Sequence, residues 1–290
     1  MPRPDFASVE ITYRRTPLLS IDSELVSPVS SLDKTATNGA SSMYVDTSLI
    51  IAKLCDIAQH TDHGVENNSN QRAYETFGQN IFRYAVGLLP KTHPIFEDKA
   101  FIADRTDLTG SFDAEAMAKA RPDTLGYFRA YLKLIEKDML KGDKKFFLGG
   151  SKPTIADIYV HFIVNWTVNG HKGNEPEVTR ETFPKVFQWV ADVNTFLAQA
   201  PKAEKISWSQ AKEVLQAPPK HEFAKFVHHD EKNSLGLKES QNVSVTPTDT
   251  GKSGPQAGQL VSINDEQCCI RNKANLLMHF PRIGYSITPA

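Results

Sequence analysis

Residues 13–21 read YRRTPLLSI and residues 43–54 read MYVDTSLIIAKL. Each sets polar groups beside a short apolar run able to hold them in place. In the first, Thr16 and Pro17 precede Leu18, Leu19 and Ile21, a spacing that fits a strand and no helix period. Proline has no N–H to give a sheet ladder, so Pro17 belongs at a strand's start. In the second, Asp46 or Thr47 can cap a helix whose apolar residues are Leu49, Ile50 and Leu54. The first backbone N–H groups of a helix, at the positive end of its dipole, attract a carboxylate. Arg14 and Arg15 flank the first stretch and read as a solvated or ion-paired edge.

Other candidate chemistry fails on spacing. DTGKSGP at 249–255 approaches a phosphate loop, but Thr246 stands where that motif needs its first glycine, and no strand–loop–helix context surrounds it. HTDH at 60–63 and HH at 228–229 lie in polar stretches without further ligands at metal-site spacing, so no metal is expected. Cys268 and Cys269 are adjacent, and with Cys55 the count is odd. That is no disulfide framework; buried or half-buried thiols are expected. His161 falls on a helix with an extensive apolar face and reads as a hydrogen-bonded structural histidine. Tyr74, Tyr84 and Tyr127 recur at helical spacing, which more often marks core than site. Lys141 to Lys145 reads as a solvated turn.

The elements behind these residues come from composition and periodicity. The chain has 290 residues, 40% apolar and 23% charged, with a formal net charge of −1. Those values fit a folded protein of two ordinary domains. They offer no electrostatic footprint for nucleic acid or an anionic membrane. No apolar run approaches the roughly 20 residues of a spanning helix. The opening MPRPDFASVEITYRR has no signal-peptide core, so a cytoplasmic setting with reduced thiols is expected.

A first strand ends near residue 21, a long polar loop covers 22–42, and a linker covers 60–70. Helical periodicity begins near residue 71, through Tyr74, Phe77, Ile81, Tyr84 and Leu88, and stops at Pro90 and Pro94. HPIFEDKAFIADRTDL suggests a short helix, and residues 122–140 a strongly periodic one. In KPTIADIYVHFIVNWTV, Thr154 and Asp157 are spaced as N-cap and N3 of a capping box. Behind them Ile155, Ile158, Tyr159, Phe162, Ile163 and Trp166 make a wide apolar face. Pro184 suits the first turn of a helix over 183–200, and 207–216 is a weaker helix. Residues 242–290 read as strands and turns.

A strand with an early proline, a second strand, a capped helix, a linker and a long helical block resemble the cytosolic glutathione S-transferase superfamily. RRTPLLSI resembles its third strand, which starts after a cis-proline. YVDTSLIIAKL resembles its fourth strand and third helix, and KPTIADI the capping box that opens the core helix of its all-helical half. The match covers roughly residues 1–217. The stretches MPRPDF, YRRTP and YVDTSLII, with HFPRIGYSI near the end, are most similar to fungal members bearing an extra C-terminal β segment.

The resemblance implies an α+β fold. A partial thioredoxin-like N-terminal domain would span 1–60, an all-α C-terminal domain 71–217, and a β-rich C-terminal extension 218–290. It implies glutathione as co-substrate and no metal. The Thr16 backbone, ahead of a cis Pro17, would face the cysteinyl part of glutathione much as an added strand does. Thr47 would take the γ-glutamyl carboxylate, Asp46 its ammonium, and Tyr84 would line the electrophile pocket. The implied activity is conjugation of glutathione to a small electrophile, or its isomerisation, by thiolate attack. The implied partners are that electrophile and a second copy in a homodimer, with no nucleic acid and no membrane.

The family opens with a strand, a helix and a second strand, and its first strand or helix supplies the Tyr, Ser or Cys that acts on the thiol. Here only MPRPDFASVEIT precedes YRRTP. A truncated thioredoxin-like half with an open sheet edge and face is therefore expected, and no catalytic residue is assigned. The alternatives are a non-catalytic binding protein of the same fold and an enzyme of specialised metabolism that uses the helical pocket without glutathione.

Overall fold

The computed structural model describes residues 4–21, 42–59, 69–216 and 228–290. The loop expected over 22–42 and the linker expected over 60–70, with its HTDH, lie outside the described residues apart from Ser42, Ser69 and Asn70. In chain order the elements are α1 (Pro4–Ala7), β1 (Leu18–Ile21), β2 (Ser42–Val45), α2 (Thr47–Gln59), α3 (Ser69–Gly87), α4 (Lys99–Thr109), α5 (Ala114–Leu134), α6 (Ile155–Asn165), α7 (Pro184–Leu197) and α8 (Trp208–Gln216). Five strands follow: β3 (Asn242–Pro247), β4 (Gln256–Ile263), β5 (Gln267–Arg271), β6 (Leu277–Pro281) and β7 (Tyr285–Pro289). The chain divides into two compact units, one of residues 1–64, 107–110 and 204–290, the other of 65–106 and 111–203.

The first unit is built on one sheet in the order β1-β2-β6-β5-β4-β3-β7. β1 and β2 run antiparallel with Leu18 opposite Val45. β2 runs parallel to β6, with Ser42 opposite Leu277 and Tyr44 opposite His279. The strands β3–β7, within the stretch expected as an extension, thus join the sheet begun by β1 and β2. The open edge and face expected of a two-strand remnant are covered here, and burial gives the reason. All four residues of β2 are buried, so its backbone groups need partners on both sides, and β6 supplies the second side. On one face, Val9, Ile11, Tyr13, Met43 and Val45 pack with Val245, Leu260, Ile270, Met278, Phe280 and Tyr285. On the other, Ile21 and Tyr44 pack with Ile50, Leu49 and Ile57 of α2. β1 stays at the end of the order.

The second unit is helical. Asp157 is fully buried and fixes the start of α6. It accepts from the Thr154 N–H at 2.8 Å and the Thr154 hydroxyl at 3.0 Å, as the capping-box spacing predicts. The helix expected from residue 122 begins instead at Ala114, capped by Asp113, which accepts from the Ala116 N–H at 2.7 Å. Pro122 suits a first turn and so suggests a start, but here it sits exposed inside the helix. The short helix suggested by HPIFEDKAFIADRTDL is α4, preceded by one tight turn at Pro94–Phe96.

Gly78 of α3 lies against α6, where an added Cβ would stand 2.5 Å from the Tyr159 carbonyl oxygen. Gly78→Ala is therefore expected to destabilise this unit. The helix-propensity gain of about 1 kcal/mol is smaller than the overpacking cost of about 1–3 kcal/mol against an unyielding backbone. A lower denaturant midpoint for this unit is the expected reading; an unchanged or higher one contradicts the close approach.

Candidate functional site

The antiparallel register brings the two polar stretches together. With Leu18 opposite Val45, Thr16–Pro17 and Asp46–Thr47 fall at the same end of the β1–β2 pair. The Thr16–Pro17 bond is cis, and Thr16, Pro17 and Thr47 are exposed. Asp46 forms the one-residue connection between β2 and α2 and holds a φ of +73°, in the left-handed region. Aspartate enters that region more readily than most residues. Its backbone carbonyl accepts the first helical bond, from the Ile50 N–H at 3.0 Å. Its Oδ1 accepts from the Ser48 N–H at 3.1 Å. Asp46 is therefore the N-cap and Thr47 the first helical residue. Helix geometry leaves the Thr47 N–H without an intrahelical partner.

The second Asp46 oxygen meets residues that sequence reasoning passed over. Oδ2 accepts from the Tyr285 hydroxyl at 3.0 Å and lies 3.9 Å from the Arg15 guanidinium. The Tyr285 and Tyr13 hydroxyls are 2.6 Å apart. A phenol has one proton, and that of Tyr285 goes to Asp46, so Tyr13 donates to Tyr285. Burial pushes the Tyr13 phenol up to about 12. Burial, then the neighbouring Tyr13 and Asp46, pushes Tyr285 up as well. Both stay protonated across the physiological range.

Arg14 and Arg15 are an ion-paired edge, one of the two states their sequence suggests. Arg15 pairs with Asp249 and donates from Nε to the Thr250 carbonyl at 3.1 Å. Arg14 pairs with Asp107 and donates to the Ser253 hydroxyl at 2.5 Å. DTGKSGP therefore forms the docking turn between β3 and β4. Gly254 is needed there, since an added Cβ would stand 2.6 Å from Arg14 Cγ and 2.8 Å from the Thr12 carbonyl oxygen. The only hint of these contacts in sequence is the pairing of two arginines with a distant acidic, glycine-rich turn. Nothing in the sequence points to Tyr285.

Tyr84 belongs to the helical unit. It stacks on Tyr127 at 5.1 Å and tilts against Tyr131 at 5.8 Å, with Phe77 edge-on to Tyr131 at 5.2 Å. Tyr127 is 56% exposed, so this aromatic row reaches the surface of its unit. Tyr74 stacks on the buried Phe147 at 5.3 Å and serves packing. His161 is buried edge-on to Trp189, and burial holds its imidazole below the usual histidine range.

Cys55, Cys268 and Cys269 are buried and in no disulfide. Burial pushes the Cys268 thiol up to about 12 and Cys269 higher still, so neither is an activated nucleophile. Among the described residues no group of three or more His, Cys, Asp or Glu could hold a metal ion. Nor is any described helix long and apolar enough to cross a membrane.

Residues 84–202 match the model of a domain of unknown function, DUF7962. No curated protein matches the chain. Among solved structures, a GST-like protein from Pseudomonas syringae is 18% identical, with a TM-score of 0.63 over 100% of this chain and 86% of that one. A glutathione transferase homologue from Sulfitobacter, solved with bound glutathione, is 16% identical, with a TM-score of 0.35 over 60% of this chain and 69% of that one. The first likeness gives the fold: α+β and GST-like, with an N-terminal thioredoxin-like part and a helical domain.

Proposed function

We propose that this chain is a glutathione transferase-like protein that binds glutathione at the β1–β2 end of the sheet and conjugates it to a small electrophile, or isomerises one with it. The register that aligns Thr16–Pro17 with Asp46–Thr47 carries this reading. It sets extended backbone beside a helix N-terminus and a carboxylate, and these suit the peptide, carboxylate and ammonium of a γ-glutamyl peptide. In this reading Thr16 pairs with the cysteinyl backbone, Thr47 takes the γ-glutamyl carboxylate and Asp46 its ammonium. The glutathione sulfur attacks the electrophile as its thiolate, having lost its proton. Tyr84, with Tyr127 and Tyr131, offers an apolar wall for a flat electrophile. A reducing, cytoplasmic setting suits three thiols that form no disulfide.

A second reading, a glutathione-binding protein without turnover, draws on the phenols. Tyr285 donates to Asp46 and Tyr13 to Tyr285. Neither keeps a proton to donate to a thiolate.

Calorimetric titration of the full chain with glutathione tests binding. Asp46→Ala is expected to weaken it by about tenfold or more, the cost of one lost charge-assisted bond. Absence of binding to the wild type overturns both readings. A conjugation assay on a generic aryl halide separates them: turnover supports the enzyme, and binding alone supports the second reading.

A further inference from the structure

We infer that Tyr285, carried in by the last strand of the sheet, is a positioning residue for the Asp46 carboxylate, and that the C-terminal strands thereby help build the glutathione site; this rests on the reading above. A carboxylate that is to receive an ammonium needs a fixed plane and free lone pairs. Asp46 has both oxygens anchored, Oδ1 by the Ser48 N–H at 3.1 Å and Oδ2 by the Tyr285 hydroxyl at 3.0 Å. Four lone-pair sites less two leave room for an incoming N–H donor.

The Tyr285 hydroxyl is itself held by Tyr13 at 2.6 Å. Its ring is fixed edge-on to Phe280 at 5.6 Å and lies under the Arg15 guanidinium at 5.9 Å. Arg15 pairs with Asp46 Oδ2 at 3.9 Å, and Asp249 and the Thr250 carbonyl also engage its guanidinium, from the β3–β4 turn. Arg15 is therefore shared between Asp46 and that turn, and the Asp46 lone pairs not taken by Ser48 and Tyr285 can receive a ligand's ammonium. The left-handed backbone of Asp46 is the kind of local strain that persists where the surroundings over-determine it. Tyr285 is one of those surroundings.

Tyr285→Phe removes the hydroxyl and keeps the ring. The test titrates wild type and variant with glutathione and with N-acetylglutathione, whose amide nitrogen carries no charge. Loss of one hydrogen bond to a charged acceptor is expected to raise the glutathione Kd about tenfold. The N-acetylglutathione Kd is expected to be the same for wild type and variant. In an Asp46→Asn background, Tyr285→Phe is expected to add little, the mark of two residues acting as one unit. Tyr13→Phe leaves Tyr285 in place and is expected to give a smaller loss with the same selectivity, a second variant should Tyr285→Phe fold poorly.

If the wild type binds glutathione and Tyr285→Phe binds it equally well, the positioning role is wrong and the binding reading stands. If the variant weakens both peptides equally, the effect is a general loss of the site and the positioning role is again wrong. If the wild type binds neither peptide, the binding reading fails, and this inference with it.

Discussion

Asp157→Ala is expected to lower the stability of the helical unit by about 3 kcal/mol or more, since several donors lose their acceptor at about 1–3 kcal/mol for each buried one. Asp157 is fully buried. Its Oδ1 accepts from the Phe147 N–H at 3.0 Å and the Trp189 indole N–H at 2.9 Å, while Oδ2 takes both Thr154 donors. One side chain thus ties the start of α6 to the preceding turn and to α7. Alanine would leave those donors in an apolar interior, with a cavity beside the large buried ring of Trp189. Denaturant unfolding followed by tryptophan fluorescence reads the effect directly. A midpoint within error of the wild type would show that the network contributes little. Asp157→Asn keeps one acceptor oxygen but turns an amide N–H₂ toward donors, so it is expected to fall between the two.

Acid is expected to destabilise both units well above the range where carboxylates titrate, because each buries a histidine in its neutral form. In the first unit His279 is completely buried between β2 and β5. It stacks on Tyr44 at 4.5 Å, 3.3 Å from the Ser42 hydroxyl and 3.8 Å from the Cys269 sulfur. Burial, with the Lys53 ammonium adding to it, brings its pKa down to about 3. In the second unit His171 accepts the Gly173 N–H at Nδ1, and burial, then His93, lowers it to about 4.

The sign follows from proton counting. Between these values and about 6.5 the unfolded chain binds a proton that the folded chain refuses, so stability is complete above pH 6.5 and falls as the pH drops. From pH 6.5 to 5 the loss is about 2 kcal/mol for His279 and up to that for His171. Unfolding midpoints at pH 7.5 and 5.0 measure it. His279→Phe, which keeps the stack on Tyr44, should flatten the acid limb of the first unit. An unchanged pH slope in that variant would contradict the assignment.

Local chemistry was legible in the sequence. The capping box at Thr154 and Asp157, the strand after Pro17 and the helix after Asp46 each announce themselves within a few residues. Their signals are short-range: a proline that cannot donate, a carboxylate one turn ahead of an apolar face. The short runs from Asn242 onward, separated by turns, also mark strands correctly. They cannot say which sheet the strands enter, because pairing is decided by complementary edges far away in the chain.

Tyr285 escaped for the same reason. A tyrosine in a C-terminal strand carries no local mark of its bond to Asp46, 239 residues away. The helix read from periodicity over 122–140 erred in the opposite sense, since Asp113 begins it earlier, where the apolar spacing is weaker. Of the candidate site, the strand after Pro17 and the cap at Asp46 could be read locally, their proposed ligand roles came from the resemblance, and the side chains that orient Asp46 came from the fold alone.

The parallel pairing of β2 with β6 also sets an order of assembly. Ser42 leaves the ribosome long before His279, its partner 237 residues on. The helical unit has every segment it needs once residue 203 is made, and it can compact while synthesis continues. The N-terminal strands cannot: their sheet stays incomplete until the final strands are released. During that interval the β6-facing edge of β2 has no strand to pair with, and such an edge is the kind that chaperones hold and proteases cut. A premature stop after the helical unit would therefore cost the protein its beginning as well as its end.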